Sequence, residues 1–207
     1  MNAAGPTAER IYEAVKAYVL RGAFRPGARL DPAVLADRLG SSVTPVRAGL
    51  NMLVGEGLVE TGTGEGFHLP LIDEPALKDR YAWNAEILVF VLRKVATPAT
   101  DGAIDEEIGN TAVRTASLFS GIARRSLNLE HRRAVAVMND RLHAARVAEA
   151  GILDGIDAEL DEIADAAARQ DAARLRPAIA RFHRRRIRSA AAILRQLYRM
   201  EEVPPAE

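Results

Sequence analysis

The chain has 207 residues and no cysteine, with 28 basic side chains against 28 acidic ones. At about 100–200 residues per domain, this length means one large domain or two small ones. The charge balance argues against a globally basic nucleic-acid coat and against an acidic disordered chain. The missing thiols exclude disulfide scaffolds, thiolate zinc sites, iron–sulfur clusters and cysteine nucleophiles.

No apolar run approaches the roughly 18–20 residues of a membrane span. The opening MNAAGPTAER has neither the basic start nor the apolar stretch of a secretion signal. A cytoplasmic protein with no membrane partner is expected. Ten of the fifteen glycines precede Phe67, and half of the ten prolines lie at or before Pro70. The first third therefore reads as short elements with frequent turns, and the rest as long alanine-rich helices. The boundaries expected are 1–70 for a first domain, 71–76 for a linker, 77–201 for a second domain and 202–207 for a tail.

In the first domain, Ala8 to Arg21 carries Ile11, Ala14, Val15, Tyr18 and Val19 at helical spacing. Asp31-Pro32 pairs an N-cap with proline at the first helical position, and the helix it opens stops at Gly40. Thr44-Pro45 repeats that signal and opens a third helix, with Val46, Leu50 and Leu53 on one face. Leu58 to Thr61 and Phe67 to Leu69 then read as two short strands around the glycines Gly62, Gly64 and Gly66. Helix, helix, tight turn, helix and β-hairpin make a winged helix-turn-helix, whose third helix can enter a major groove.

These residues resemble the GntR family of bacterial transcription regulators. Gly22 to Leu30 is similar to G-x-(hydrophobic)-x-P-G-x-x-L. Leu35 to Gly40 is similar to L-A-x-x-L-G, Ser42 to Arg47 to S-R-T-P-V-R, and Leu53 to Val59 to L-x-x-E-G-L-V. The blocks cover about 60 residues in the family's order. The resemblance implies DNA contacts from Ser42, Thr44 and Arg47 on the third helix. It also implies contacts from Gly64, Gly66 and His68 at the wing. Val43 stands where the family has arginine, and Ala48 where it has an acidic residue. A lost arginine–guanine pair is worth about 1–3 kcal/mol of discrimination, and Val43 can meet a thymine methyl instead. Residues 1–70 hold seven basic and seven acidic side chains, so the domain gains little from phosphate attraction.

From Pro75 onward, helices are expected over Ala76–Val95, from about Asp105 to Ser126, over Asn128–Ala150, around Leu160–Ala167, and from a cap at Asp171 to about Met200, with Pro177 near its start. The acidic run Asp101 to Glu107 reads as a loop and a negative helix start. The fold class is mainly α: an N-terminal winged helix-turn-helix followed by an all-α bundle.

The bundle resembles the FCD-type effector domain of the FadR subgroup. Ser126-Leu127-Asn128 with Arg146, Ile163 to Asp171 (similar to I-x-x-A-I-x-x-G-D), and Ala180 to His183 carry the likeness. Many such domains bind a metal through one aspartate and three histidines, and the metal then takes a carboxylate effector. Here Ala116, Ser120 and Leu160 occupy three of those positions, leaving His183. Three or four protein ligands are normally needed, so no metal and no other cofactor is expected. His183, Arg146 and His131 are the candidate effector-binding residues, with a small carboxylate as the effector class implied. For the basic run around Arg184-Arg185-Arg186, pairing with the acidic stretch Asp154 to Asp171 is the simplest reading.

The function expected is a ligand-responsive transcription regulator that binds a pseudo-palindromic operator as a homodimer. The alternative is an effector-sensing or protein-interaction protein with weakened DNA reading. No P-loop, G-x-S-x-G or H-E-x-x-H occurs, and no catalytic residues are assigned.

Overall fold

The computed structural model describes residues 5–21, 24–62, 66–93 and 110–200. The chain divides into two compact units, Met1–Ile72 with Tyr198–Glu207, and Asp73–Leu197.

The first unit contains α1 (Gly5–Arg21), β1 (Arg29–Leu30), α2 (Pro32–Arg38), α3 (Val43–Gly55), β2 (Glu60–Thr61) and β3 (Phe67–His68). The Asp31 carboxylate accepts from the amides of Ala33 and Val34, so the cap read from the sequence is formed. α2 ends in a Schellman turn: Gly40 sits at φ +56°, its amide donates to Asp37, and the Ser41 amide donates to Ala36. α3 opens two residues earlier than Thr44-Pro45 suggested. Ser42 is its N-cap and Val43 its first residue, which corrects the expectation of Thr44 as the cap. Pro45 is tolerated because the first-turn amides have no partner inside the helix anyway.

α3 buries Val46, Gly49, Leu50 and Leu53. α1 crosses it with Ile11, Tyr12, Val15 and Val19 turned inward. Gly49 makes the crossing possible, since a Cβ there would stand 3.3 Å from the Tyr12 Cα. The sheet has three strands, not the two expected, in the order β1-β3-β2 and antiparallel throughout. Arg29 pairs with His68 and Leu30 with Phe67.

The second unit contains α4 (Glu74–Arg93), α5 (Thr111–Arg124), α6 (Leu129–Glu149), α7 (Ile156–Ala168) and most of α8 (Ala172–Arg199). α4 begins inside the stretch assigned to the linker, because Asp73 accepts from the Ala76 amide and starts the helix there. Asn110 caps α5 through the Val113 amide, and that helix opens at Thr111; the expected start near Asp105 lies outside the described residues. The run Asp101–Glu107 lies outside the described residues. α6 packs on both α4 and α5, and α5 also packs on α7.

A second Schellman turn closes α7. Its left-handed residue is Gln170 at φ +56°, where the resemblance has glycine. Asp171 then caps α8 through the Arg174 amide, as read from the sequence. The fold class is therefore as expected: mainly helical, with an N-terminal winged helix-turn-helix and a helical C-terminal region.

Candidate functional site

Two places in the structure have the makings of a site. The first is the outer face of α3. Its inner side is core, while Ser42, Val43, Thr44, Arg47 and Ala48 are exposed. The Ser42 side chain makes no capping hydrogen bond, so its hydroxyl is not committed to the helix. The Arg47 guanidinium lies over the buried Phe67 ring of β3, 5.9 Å from its centroid. This cation–π contact sets the arginine on the wing side of the helix.

The wing positions separate. The amide of Gly62 donates to the carbonyl of Gly66 across the hairpin, and Gly64 lies outside the described residues. His68 belongs to the central strand, not to the hairpin tip. It is half-buried, and a Cβ on Gly62 would lie 3.4 Å from its ring.

The second place is the interior of the bundle. His183 on α8 is 1% exposed. Its Nδ1 is 2.8 Å from the Ile179 carbonyl and its Nε2 is 2.9 Å from the Asn84 amide oxygen on α4. Burial, with Arg146 and Arg186 nearby, lowers its pKa to about 3. The ring is thus neutral at ordinary pH, with one N–H and one lone pair.

Arg146 on α6 is equally buried. Burial lowers its pKa to about 10, which leaves it charged at neutral pH. Its Nη1 donates to Asn139 at 3.0 Å, and its Nη2 reaches the Asn84 oxygen at 3.4 Å. Its face lies against Phe119, 5.3 Å from that centroid. It forms no ion pair within 4 Å among the described residues, and its Nε has no partner.

This cluster is short of acceptors. If His183 donates from Nδ1 to Ile179, its Nε2 lone pair requires the amide nitrogen of Asn84. Arg146 requires the amide oxygen from the same side. One amide cannot meet both demands, and Asn84 Nδ2 also has no partner. Asn139 is held from behind, its Nδ2 donating to the Ala116 carbonyl and to Ser120 Oγ at 3.0 Å each.

Below it lies an ion-paired cluster, in which Arg186 Nη2 lacks a hydrogen-bond partner. Arg186 Nε donates to Glu149 at 2.9 Å, and its Nη1 donates to Glu159 at 2.7 Å. Tyr81 Oη donates to the other Glu149 oxygen at 2.5 Å. The Arg186 guanidinium stacks on Phe182 at 3.3 Å.

His131 does not join either cluster. It meets Ser126 Oγ at 2.8 Å and the edge of Phe90, and it shares no partner with Arg146 or His183. Of the basic run, Arg181 pairs with Glu162, Arg185 with Glu159, and Arg186 with Glu149 and Glu159. The sequence reading missed Asn84, Asn139, Tyr81 and Glu149. Asn84 was findable, because it falls in the apolar stripe Leu77, Tyr81, Leu88 and Val91 at helical spacing.

The metal positions of the resembled domain do not fit an ion here. Both nitrogens of His183 are engaged, and Ala116, Ser120 and Leu160 offer no imidazole or carboxylate. Among the described residues no three metal-ligating side chains converge.

Residues 7–69 match the family of bacterial regulatory proteins called the gntR family. The chain is 35% identical over 85 residues to the Nta operon transcriptional regulator of Aminobacter aminovorans. It is 34% identical over 73 residues to the HTH-type transcriptional regulator McbR of Escherichia coli strain K12. These matches cover 41% and 34% of this chain, and 39% and 33% of the two relatives. The chain thus spans well under half the length of either regulator in sequence. In structure it is similar to E. coli McbR/YncC, with a TM-score of 0.69 at 20% identity, over 92% of this chain and 98% of that one. That likeness extends the shared fold through both units. No described helix is long and apolar enough to cross a membrane.

Proposed function

We propose that the chain is a GntR-type transcription regulator that binds a pseudo-palindromic operator as a homodimer and answers to a small anionic effector held in its bundle. The observation that carries the DNA reading is α3. It lies within the residues that match the family, and its outer face is free of packing while its inner face is core. Arg47 is the proposed principal base contact, with Ser42 and Thr44 on phosphate. Gly64, Gly66 and His68 are the proposed wing residues. Two copies of a domain with no net charge double the contacts, and a twofold axis matches an inverted repeat.

For the effector, the acceptor-poor cluster of Arg146, Asn84 and His183 is the supporting observation. A buried cation without a carboxylate partner is costly, and a carboxylate would supply both its counter-charge and the missing acceptors. The Arg146 and His183 assignments are retained from the sequence, with Asn84 and Asn139 added. His131 has no part in this cluster. A bound effector acts only through unequal affinity for two arrangements of the protein.

The test is a genomic-fragment selection with purified protein, run beside Arg47→Ala at the same salt. Enriched fragments sharing an inverted repeat, lost with Arg47→Ala, are expected. No enrichment from folded protein at low salt would overturn the DNA reading. It would favour the second reading, a sensor with weakened DNA recognition, which the charge-neutral first domain supports.

A further inference from the structure

The outer face of α3 is unusually poor in charge for a helix proposed to enter DNA. Val46, Gly49, Leu50 and Leu53 point into the core. The line opposite them is Thr44, Ala48, Asn51 and Gly55, at spacings of four, three and four residues, and all four are exposed. Val43 and Arg47 flank this ridge on one side, and Met52 flanks it on the other; Val43 is 40% exposed and Met52 54%. Arg47 is therefore the single cation of α3, and its stacking on Phe67 draws it to the wing side of the ridge. The residue left at the middle of the ridge with two-way hydrogen-bonding capacity is Asn51. Its neighbours Ala48 and Gly55 have almost no side chain to hold the helix away from a groove floor.

We infer that Asn51 reads an adenine and that Val43 packs on a thymine methyl, so that each half-site carries A·T pairs on either side of the base pair read by Arg47. This rests on the regulator reading above and names the DNA sequence chemistry it selects. An asparagine amide accepts from adenine N6 and donates to N7, a pattern no other base offers in the major groove. An exposed valine gains from burying a methyl and has nothing to offer guanine or cytosine. A helix with one cation obtains little from phosphate, so its preference comes from the base edges. Neither side chain takes part in the core, so replacing it leaves the fold intact.

The test uses the full chain and three proteins: wild type, Asn51→Ala and Val43→Ala. Each is put through selection from random-sequence duplexes at one salt concentration. The wild-type site is then scanned by replacing single thymines with deoxyuridine, which removes only the methyl. Wild type is expected to lose threefold to tenfold in affinity at one thymine per half-site, and Val43→Ala to be indifferent to that same replacement. Asn51→Ala is expected to lose a preference of about tenfold for A·T at one position per half-site, with its salt dependence unchanged. An unchanged selected site with Asn51→Ala, or a flat deoxyuridine scan with wild type, overturns the inference while leaving the regulator reading intact. A uniform loss across all sequences, with a shallower salt slope, marks Asn51 as a phosphate contact and also overturns it. Failure of wild type to select any site sinks the regulator reading, and this inference falls with it.

Discussion

Nε2 of His183 meets the side-chain amide of Asn84 at 2.9 Å across the centre of the bundle, from 99 positions away in the chain. The contact ties α8 to α4 through a ring that burial keeps uncharged. Its pH dependence follows. The folded pKa is lowered to about 3, below the roughly 6.5 of an unfolded histidine. Between those values the unfolded chain binds the extra proton, so stability falls as pH drops through that window. In chemical denaturation from pH 7 down to pH 4, wild type should lose about 1.4 kcal/mol per pH unit from this group in mid-window. His183→Gln should show a correspondingly flatter profile.

Arg146 is a buried charge without a carboxylate. Removing a buried charge in favour of an apolar chain of similar length is often neutral or stabilising. Arg146→Met should therefore leave the melting temperature unchanged or raised. It should also abolish any thermal shift that a panel of small carboxylates produces with wild type. A drop of several kcal/mol in stability would show that Arg146 is structural after all.

Glu149 is the opposite case. It holds Arg186 and Tyr81 together where none of the three meets water. Breaking a buried pair from one side costs about 3–5 kcal/mol, because the stranded charge stays behind. Glu149→Leu should be destabilised by that order in urea. Adding Arg186→Met should recover much of the loss, since it removes the stranded cation.

Gly49 lies where α1 and α3 cross, with the Tyr12 backbone 3.3 Å from where its Cβ would be. Backbone cannot move aside as a long side chain can. Gly49→Ala should cost about 1–3 kcal/mol, and Gly49→Val should unfold the first unit, as read by loss of DNA retention together with helical circular dichroism.

Gln170 pays a conformational penalty as a left-handed residue with a side chain. Gln170→Gly should raise stability by up to about 1 kcal/mol in thermal denaturation. No gain would mean that the glutamine side chain contributes an interaction of similar size.

Much of this was legible in the chain. Asp31-Pro32 announced α2, Asp171 announced α8, and the apolar spacing of Ile11 to Val19 announced α1. These are local signals, in which a residue's chemistry acts within one helical turn. β1 was not legible, because two residues carry no period and Arg29 and Leu30 become a strand only by meeting His68 and Phe67. The start of α3 was misread because Thr44-Pro45 carries the local signature of a helix start, while the helix opens two residues earlier behind Ser42, whose side chain makes no capping bond. At the candidate site, His183 stood out as a rare residue on an apolar face. Arg146 was also named there, but Glu149 and Arg186 were not, since charged side chains on a helix usually face water. Their burial depends on partners on other helices, which a reading along one helix cannot supply.

The Arg186 cluster draws its groups from four helices: Tyr81 from α4, Glu149 from α6, Glu159 from α7 and Arg186 itself from α8. An apolar core can be assembled piecemeal, each helix gaining as it docks. A shared buried charge cannot, because any three of these helices without the fourth leave a dry ion or hydroxyl with its partner missing. Half-built bundles are thus penalised more heavily than the finished one. The second unit should accordingly melt as one cooperative body, with the amides of α4, α6, α7 and α8 exchanging hydrogen at a common rate.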